Sequence, residues 1–154
     1  MVFHRHYVSF ATAWSWPSWP ETCPSKPPLT RPSDSACVEA CQEHLLLQRQ
    51  LRETLGREKD RLDWVWLRTG DVPLTEPLKQ ATAAAQVLQI DAQALAAWLQ
   101  PAAGQKIEDH LYVVDPLGNW MMRFPANIDP KQAKRDLDRL LRASAFWDKA
   151  GRQP

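Results

Sequence analysis

The sequence predicts an α/β fold in which helices flank a central mixed sheet and the chain ends in a β-hairpin followed by a helix. Three observations support this prediction. From residue 36 onward, leucine-rich segments with helical spacing alternate with short runs of aromatic and β-branched residues. The last two of these runs are joined by a short turn containing Pro and Gly, which is typical of an antiparallel hairpin. Helices separate the other strands, as in parallel pairing, so the predicted sheet is mixed.

The first half of this region predicts one strand and three helices. Leucines recur at helical spacing over residues 42–55. Residues 62–67 (LDWVWL) are aromatic and β-branched and predict a strand. An Ala-rich run over residues 78–88 predicts a second helix, and Asp91 can cap a third helix over residues 92–99.

The second half predicts the hairpin and the last helix. Residues 111–114 (LYVV) predict a buried strand, residues 115–119 (DPLGN) a turn, and residues 120–124 (WMMRF) the returning strand. Asp129 can cap a helix that begins at Pro130 and carries one apolar stripe of leucines.

Residues 1–35 differ in composition from everything after them, because they are rich in Trp and Pro and show little periodicity. Such a stretch is poor material for a long helix or a central strand. We expect an irregular leader, or a stretch foreign to the domain such as a mis-assigned start, followed by one domain over residues 36–145 and a tail over residues 146–154. A sheet of this kind needs a buried strand just before Cys37. Residues 32–36 (PSDSA) do not predict one, so the first strand is expected to be missing.

Length and composition set limits on function. A chain of 154 residues fits one domain with one core, and 44% apolar with 24% charged residues is ordinary for a globular protein. A net charge of +1 gives no indication of nucleic-acid binding. No run of apolar residues is long enough to span a bilayer, and the leader lacks the apolar centre of a signal peptide.

Two cysteines, Cys37 and Cys41, stand four residues apart where the first helix is predicted to start. The amino end of a helix favours the thiolate, which is the form that attacks disulfides and binds soft metals. Residues at this spacing share a helix face, so both sulfurs can meet at one metal ion or join as a disulfide. We expect both sulfurs to face solvent together. The alternative is two small apolar residues that pack a helix start. Cys23, in the Pro-rich leader, is predicted to be incidental.

Together these features resemble the Sco/SenC group of cytochrome oxidase assembly proteins, within the thioredoxin superfamily. That group carries a Cys-x-x-x-Cys motif at the same helix start and a Tyr-Leu-Val-Asp-Pro-x-Gly-like hairpin. Here these are residues 37–41 (CVEAC) and 112–118 (YVVDPLG), and the resemblance covers about residues 36–143. Residues 121–142 are similar to a small subgroup associated with bacterial haem–copper oxidases.

The resemblance implies a thioredoxin-like fold and a role in handling copper or reducing the thiols of a copper site. It implies a metallochaperone or thiol–disulfide reductase rather than a turnover enzyme. The implied partner is the copper-binding subunit of cytochrome c oxidase or another assembly factor. The implied location is the periplasmic face of the cytoplasmic membrane, with membrane association.

The sequence departs from the Sco pattern in three places. The leader stands where an anchor and the first core strand are expected. The position of the Sco histidine ligand is occupied by Ile107, and His110 lies three residues later. The Pro that most Sco proteins have inside the Cys motif is absent.

By this resemblance the metal ligands would be Cys37, Cys41 and His110, which would give copper two thiolates and one imidazole. By analogy with thioredoxins, Cys37 would be the exposed nucleophile and Cys41 the resolving residue. For His110 the alternative is a hydrogen-bonded histidine at a strand edge. His44, one turn beyond Cys41, either donates to the metal or lies on the surface. Thioether sulfur is also a donor for copper(I), but the position of Met121 and Met122 in the hairpin strand favours packing in the core or against a partner.

Three functions therefore stay open from the sequence. The first is a Sco-like assembly factor that binds copper or keeps copper-site thiols reduced through Cys37 and Cys41. The second is a non-catalytic assembly protein that has kept the fold and lost the metal site, which the Ile107 departure favours. The third is a general thiol–disulfide oxidoreductase. Against the third, no Pro lies immediately before Leu111, where thioredoxins keep a Pro beside the active site.

Overall fold

A five-stranded sheet forms the centre of the protein in a computed structural model, which describes residues 28–33, 37, 39–116 and 118–144. The strands are β1 (Pro28–Ser33), β2 (Asp63–Arg68), β3 (Gln86–Gln89), β4 (Tyr112–Val114) and β5 (Trp120–Arg123). The helices are α1 (Glu39–Thr54), α2 (Glu76–Ala81), α3 (Ala92–Trp98) and α4 (Pro130–Ala143), with 3-10 turns at Gly56–Arg61 and Ile107–Asp109. No helix in these ranges is long and apolar enough to cross a membrane.

The sheet has the order β3-β2-β1-β4-β5. The half formed by β3, β2 and β1 is parallel, because β1 pairs with β2 and β2 with β3 in the same direction. The other half is antiparallel, because β4 runs in the opposite direction to both β1 and β5. The predicted fold class, a mixed sheet flanked by helices with a C-terminal hairpin and helix, is confirmed.

The prediction that the first strand is missing is wrong. β1 occupies the middle of the sheet and pairs with β2 along its whole length, from Pro28 opposite Asp63 to Ser33 opposite Arg68. Its pairing with β4 involves only Leu29 and Thr30. Pro32 therefore lies beyond the doubly paired part of the strand, where its missing N–H costs no hydrogen bond to β4. The folded unit thus begins upstream of the predicted boundary at residue 36.

The second predicted helix is also corrected. α2 ends at Ala81, and residues 86–89 leave the helical path to form β3, parallel to β2. Burial alternates along β3, with Gln86 and Leu88 partly covered and Val87 exposed, as expected of an edge strand. Pairing with β2 thus overrides the helix preference of the Ala-rich run, which is a weak local effect.

Two predicted helix caps are confirmed. The Asp91 carboxylate accepts hydrogen bonds from the backbone N–H groups of Gln93 (2.9 Å) and Ala94 (3.0 Å), where α3 begins. The Asp129 carboxylate accepts one from the Lys131 N–H at 2.9 Å, where α4 begins. Both caps satisfy backbone donors that have no partner inside the helix.

The core lies on both faces of the sheet. On one face, α1 and α4 pack a cluster made largely of leucines: Leu29, Leu51, Leu55, Leu62, Leu111, Val113, Phe124, Ala133, Leu137 and Leu141. On the other face, α3 covers a second cluster: Val65, Leu67, Leu95, Leu99 and Tyr112. Because helices cover both faces, the central strands are buried throughout, which explains their continuous apolar sequence.

One buried amide ties α1 to the parallel strands. The Gln48 side chain is fully buried, and its Nε2 donates to the backbone carbonyls of Leu29 on β1 and Val65 on β2, the second at 3.0 Å. A donor that reaches two strands fixes the height of the helix above the sheet. Buried acceptors that lose such a donor cost about 1–3 kcal/mol.

We expect Gln48→Leu to lower the free energy of unfolding by about 1–3 kcal/mol, because two buried carbonyls lose a donor. Urea denaturation followed by circular dichroism measures this change. Gln50→Leu is the matched control, since Gln50 is exposed on the same helix and its replacement should change stability by no more than about 0.5 kcal/mol. Equal effects of the two substitutions would contradict the role assigned to Gln48.

Candidate functional site

The cysteine pair lies at the start of α1, which follows β1 in the chain. Cys37 precedes the helix, which begins at Glu39, and Cys41 lies in its first turn. The two sulfurs are joined in a disulfide, with their Cα atoms 5.1 Å apart. The prediction that both sulfurs meet at the start of the first helix is confirmed. The first backbone N–H groups of a helix have no partner within it, and together with the helix dipole they favour negative charge at this position.

The prediction that both sulfurs face solvent is wrong for this disulfide form. Cys37 is 2% exposed and Cys41 5% exposed. They form a small core cluster with Leu45 of α1 and Trp66 of β2, and Leu74 and Leu78 pack against its edge. The large indole and the leucines enclose the pair, so Cys37 does not have the exposure expected of a nucleophile. A reacting sulfur from outside can reach the pair only after neighbouring side chains move.

Cys37 has an unusual backbone conformation, with a φ angle of +38°. An L-residue in this left-handed region costs roughly 1–2 kcal/mol, because its Cβ crowds the following carbonyl. The Gln42 side chain donates a 3.2 Å hydrogen bond to the Cys37 carbonyl and so helps to hold this turn. Such outliers persist where the surrounding structure imposes them, and they cluster at functional sites.

Two buried arginines lie on the sheet face that the pair covers. Arg31 of β1 is the register partner of Trp66, and Arg68 follows Trp66 on the same face of β2. The Arg68 guanidinium carbon lies 5.4 Å from the centre of the Trp66 ring, and the Trp66 Nε1 donates to the Ser33 hydroxyl at 2.7 Å. Positive charge near a thiol stabilises its thiolate, so these surroundings suit thiolate chemistry.

His110 is fully buried, and backbone groups occupy both of its ring nitrogens. Nδ1 donates to the Phe124 carbonyl at 2.8 Å, and Nε2 accepts from the Ala102 N–H at 3.2 Å. These two partners assign the neutral Nδ1–H tautomer and leave no nitrogen lone pair for a metal. This is the hydrogen-bonded histidine of the alternative interpretation, and we therefore leave His110 out of the candidate site.

The other candidate ligands are also separate from the pair. His44 is half-buried, and its pKa is lowered from the ordinary value, first by burial and then by the charge of Arg31. Met121 is exposed on β5, whereas Met122 packs against the α1–α4 cluster. Among the residues described, no three His, Cys, Asp or Glu side chains are grouped so that they could hold a metal.

Sequence reasoning missed two residues that build the site. Trp66 lies in the predicted strand over residues 62–67, and the structure shows that it also packs against the disulfide. Gln42 was not singled out, although it supports the Cys37 turn. No local signal marks either residue. Their roles follow from the pairing of β2 with β1 and from the direction in which α1 leaves the sheet.

The Cys37 turn leads to a test that separates backbone strain from loss of the disulfide. Cys37→Gly and Cys37→Ala both lose the disulfide and differ only in the Cβ atom. We expect the Gly variant to have the higher free energy of unfolding, by about 0.5–1 kcal/mol, because Gly adopts positive φ without strain. Thermal denaturation measures the difference. At Cys41, inside the helix, the order should reverse, with Ala above Gly by up to about 1 kcal/mol. If the same substitution gave the more stable protein at both positions, the backbone strain assigned to Cys37 would be contradicted.

Three solved structures share this fold at low sequence identity. The copper-bound structure of Bradyrhizobium japonicum ScoI has a TM-score of 0.53 and 16% identity, over 74% of this chain and 84% of that chain. A SCO1/SenC family lipoprotein from Bacillus anthracis has a TM-score of 0.54 and 17% identity, over 77% and 83%. Copper-bound yeast Sco1 has a TM-score of 0.58 and 14% identity, over 84% and 83%. No curated protein matches the chain by sequence.

The structural matches establish a Sco-like thioredoxin fold, as the sequence motifs predicted. Residues 29–144 match a protein family over most of the chain, and this range includes β1 and α4. The chain therefore belongs to the family described as transmembrane-like, thioredoxin-like, C-terminal domain.

Proposed function

We propose that this protein is a Sco-like thiol–disulfide exchange factor whose Cys37–Cys41 pair cycles between disulfide and dithiol. One observation carries the proposal: the two cysteines are joined at the amino end of α1. A helix start and nearby guanidinium groups favour thiolates, which supports chemistry at these sulfurs.

The reaction is a two-electron exchange. In the dithiol form, the Cys37 thiolate attacks one sulfur of a partner disulfide, and the partner's other sulfur leaves as a thiolate. The Cys41 thiolate then attacks the Cys37 sulfur of this mixed disulfide, forms the Cys37–Cys41 bond and releases the partner's second thiolate. The partner gains two electrons and takes up protons from water as its thiolates are protonated.

The division of roles follows from the position of each cysteine. Cys37 precedes the helix, whereas Cys41 is fixed in the first helical turn and packed beside Trp66. The residue outside the helix suits the attack on an outside disulfide, and the residue held by the helix suits resolution. Because both are buried in the disulfide form, exchange includes an opening of the cluster around Trp66.

The partner proposed from the Sco resemblance is the copper-binding subunit of cytochrome c oxidase or another assembly factor. The cysteines of a copper site must be reduced before they can bind copper, because the thiolate is the form of cysteine that ligates metals. Reduction of that site would place this protein before metal insertion. The proposed location is accordingly the periplasmic face of the cytoplasmic membrane.

The exchange is tested with a synthetic peptide that contains an internal Cys-x-x-x-Cys disulfide. All proteins carry Cys23→Ser, so that only the pair reacts. We expect the reduced protein to convert the peptide to its dithiol and to become oxidised itself, as seen by intact-mass spectrometry after alkylation. Cys41→Ser should accumulate a mixed disulfide through Cys37, because the resolving thiolate is missing. Cys37→Ser should accumulate little.

The opposite pattern, with the mixed disulfide in Cys37→Ser alone, would reverse the assigned roles. If the reduced protein transfers no electrons to the peptide while dithiothreitol does, the exchange function is wrong. The non-catalytic assembly role is then the one that explains the fold.

Copper(I) as cargo is the second candidate. Two proteins of this fold are copper-bound in their solved structures, ScoI and yeast Sco1. In the dithiol form Cys37 and Cys41 offer two thiolates, which are soft donors suited to copper(I). In the disulfide form they offer none, so copper binding depends on the redox state of the pair.

The copper proposal is tested by equilibrium dialysis of Cys23→Ser protein against a buffered copper(I) complex. We expect the reduced protein to retain copper, and the oxidised protein and both single Ser variants at positions 37 and 41 to lose most of it. Copper content is measured by atomic absorption. Equal copper content in the oxidised and reduced forms would show that the metal binds elsewhere and would reject copper(I) binding by this pair.

A further inference from the structure

A groove of about 240 Å³ lies between α1 and α2, directly beside the disulfide. α1 contributes Gln42, Leu45, Leu46 and Arg49 to its walls, α2 contributes Leu78, and Trp64 of β2 also lines it. Its lining is mainly apolar. A pocket of this size can hold one large side chain together with a short length of extended chain.

The groove is continuous with the cysteine cluster. Leu45 and Leu78 line the groove and also pack with the disulfide. Gln42 stands at the groove wall and donates to the Cys37 carbonyl. A chain lying in the groove would therefore touch the same side chains that enclose the two sulfurs, which connects binding in the groove to access to the pair.

Trp64 provides a donor without an acceptor. The residue is 5% exposed, and its Nε1 is buried with no hydrogen-bond partner in the part of the chain that the structure describes. It is one of several buried side-chain polar atoms without such a partner, and leaving a buried donor unpaired costs free energy. Because this nitrogen is closed to solvent, the backbone carbonyl of a bound segment reaches it only after neighbouring side chains move.

The charged side chain that lines the groove is positive. Arg49 is its single charged lining residue, is exposed, and forms no ion pair among the described residues. Glu53, one turn along the helix, pairs with Lys59 at 2.9 Å and Arg52 at 3.7 Å, and its pKa is lowered first by Lys59 and to a smaller extent by the charges of Arg52 and Arg49. Leu46, beside Arg49 at the rim, is 54% exposed and adds apolar surface to the groove.

We propose that the groove binds an extended segment of the thiol-exchange partner that carries, two residues after its cysteine, an apolar residue followed by an acidic one. The apolar side chain fills the space lined by Leu45, Trp64 and Leu78, and the carboxylate pairs with Arg49. A backbone carbonyl of the segment accepts from the Trp64 Nε1 once binding moves the side chains that cover this nitrogen. The proposal rests on the exchange function of Cys37–Cys41 and names the partner chemistry that this function uses.

The kinetic test uses two peptides that differ in one charge, acetyl-Cys-Gly-Leu-Glu-amide and acetyl-Cys-Gly-Leu-Lys-amide. Two peptide thiols reduce the protein disulfide and leave as one peptide disulfide, and quenched alkylation with mass spectrometry gives the rate. Each rate is divided by that of the same peptide with a small reference disulfide, which removes intrinsic differences in thiol reactivity. We expect the Glu peptide to react about threefold to fivefold faster at low salt, the effect of one exposed ion pair.

Charge-swap variants locate the preference. Arg49→Gln should bring the rate ratio close to one, and Arg49→Glu should reverse it in favour of the Lys peptide. Arg57→Gln is the matched control, because it removes the same charge from an exposed position that does not line the groove, and it should keep the ratio. High salt should reduce the ratio in the unmodified protein.

A second measurement does not involve sulfur chemistry. In the oxidised protein labelled with ¹⁵N, the indole N–H signal of Trp64, assigned by its loss in Trp64→Phe, should shift on addition of acetyl-Ser-Gly-Leu-Glu-amide. The Lys version of this Ser peptide should shift it less at equal concentration.

The outcomes separate the groove from the exchange function. A rate ratio near one, unchanged in Arg49→Gln, together with a Trp64 signal that does not move, would overturn the groove proposal while dithiothreitol still reduces the pair. A charge-dependent shift of the Trp64 signal without any thiol exchange would keep the groove as a peptide site and reject the exchange function.

Discussion

The position of β1 in the middle of the sheet is the constraint on which the rest of the structure depends. This strand pairs with β2 on one side and β4 on the other, so it joins the parallel half of the sheet to the antiparallel half. In the chain, Cys37 and then the start of α1 at Glu39 follow the carboxyl end of this strand. Gln48 then links α1 back to β1 and β2 through their backbone carbonyls. The cysteine pair is placed by the sheet rather than by its own loop.

Thiol exchange at this site requires that a partner reach the two sulfurs, whereas the side chains packed around them exclude solvent. A helix start and two buried arginines favour thiolates, while Trp66 and surrounding leucines exclude solvent from the disulfide. Low polarity strengthens the electrostatic effect of nearby charges on a thiolate. Enclosure also hinders the approach of thiols that do not displace these side chains. A partner that opens the cluster would therefore gain a reactivity that free thiols do not have.

The elements that local chemistry specifies could be predicted from the sequence. Asp91 and Asp129 cap their helices through their own side chains, and the Asp115-to-Asn119 turn closes within five residues. The cysteine pair is local in the same sense. β1 and β3 could not be predicted, because β1 contains two prolines and β3 follows an Ala-rich helix, and both become strands by pairing with β2. The burial of the sulfurs and the backbone partners of His110 depend on distant segments in the same way.

The groove beside the pair gives this fold a way to connect recognition to sulfur chemistry. Leu45 and Leu78 belong to both regions, so a side chain that displaces them from the groove also loosens the enclosure of the disulfide. The strained turn at Cys37 adds to this, because a residue held at positive φ by its surroundings relaxes when they move. A short apolar and acidic segment would then act as more than an anchor. Its binding would supply the opening that the buried sulfurs require, and the specificity of the exchange would lie in the α1–α2 groove rather than in the cysteines themselves.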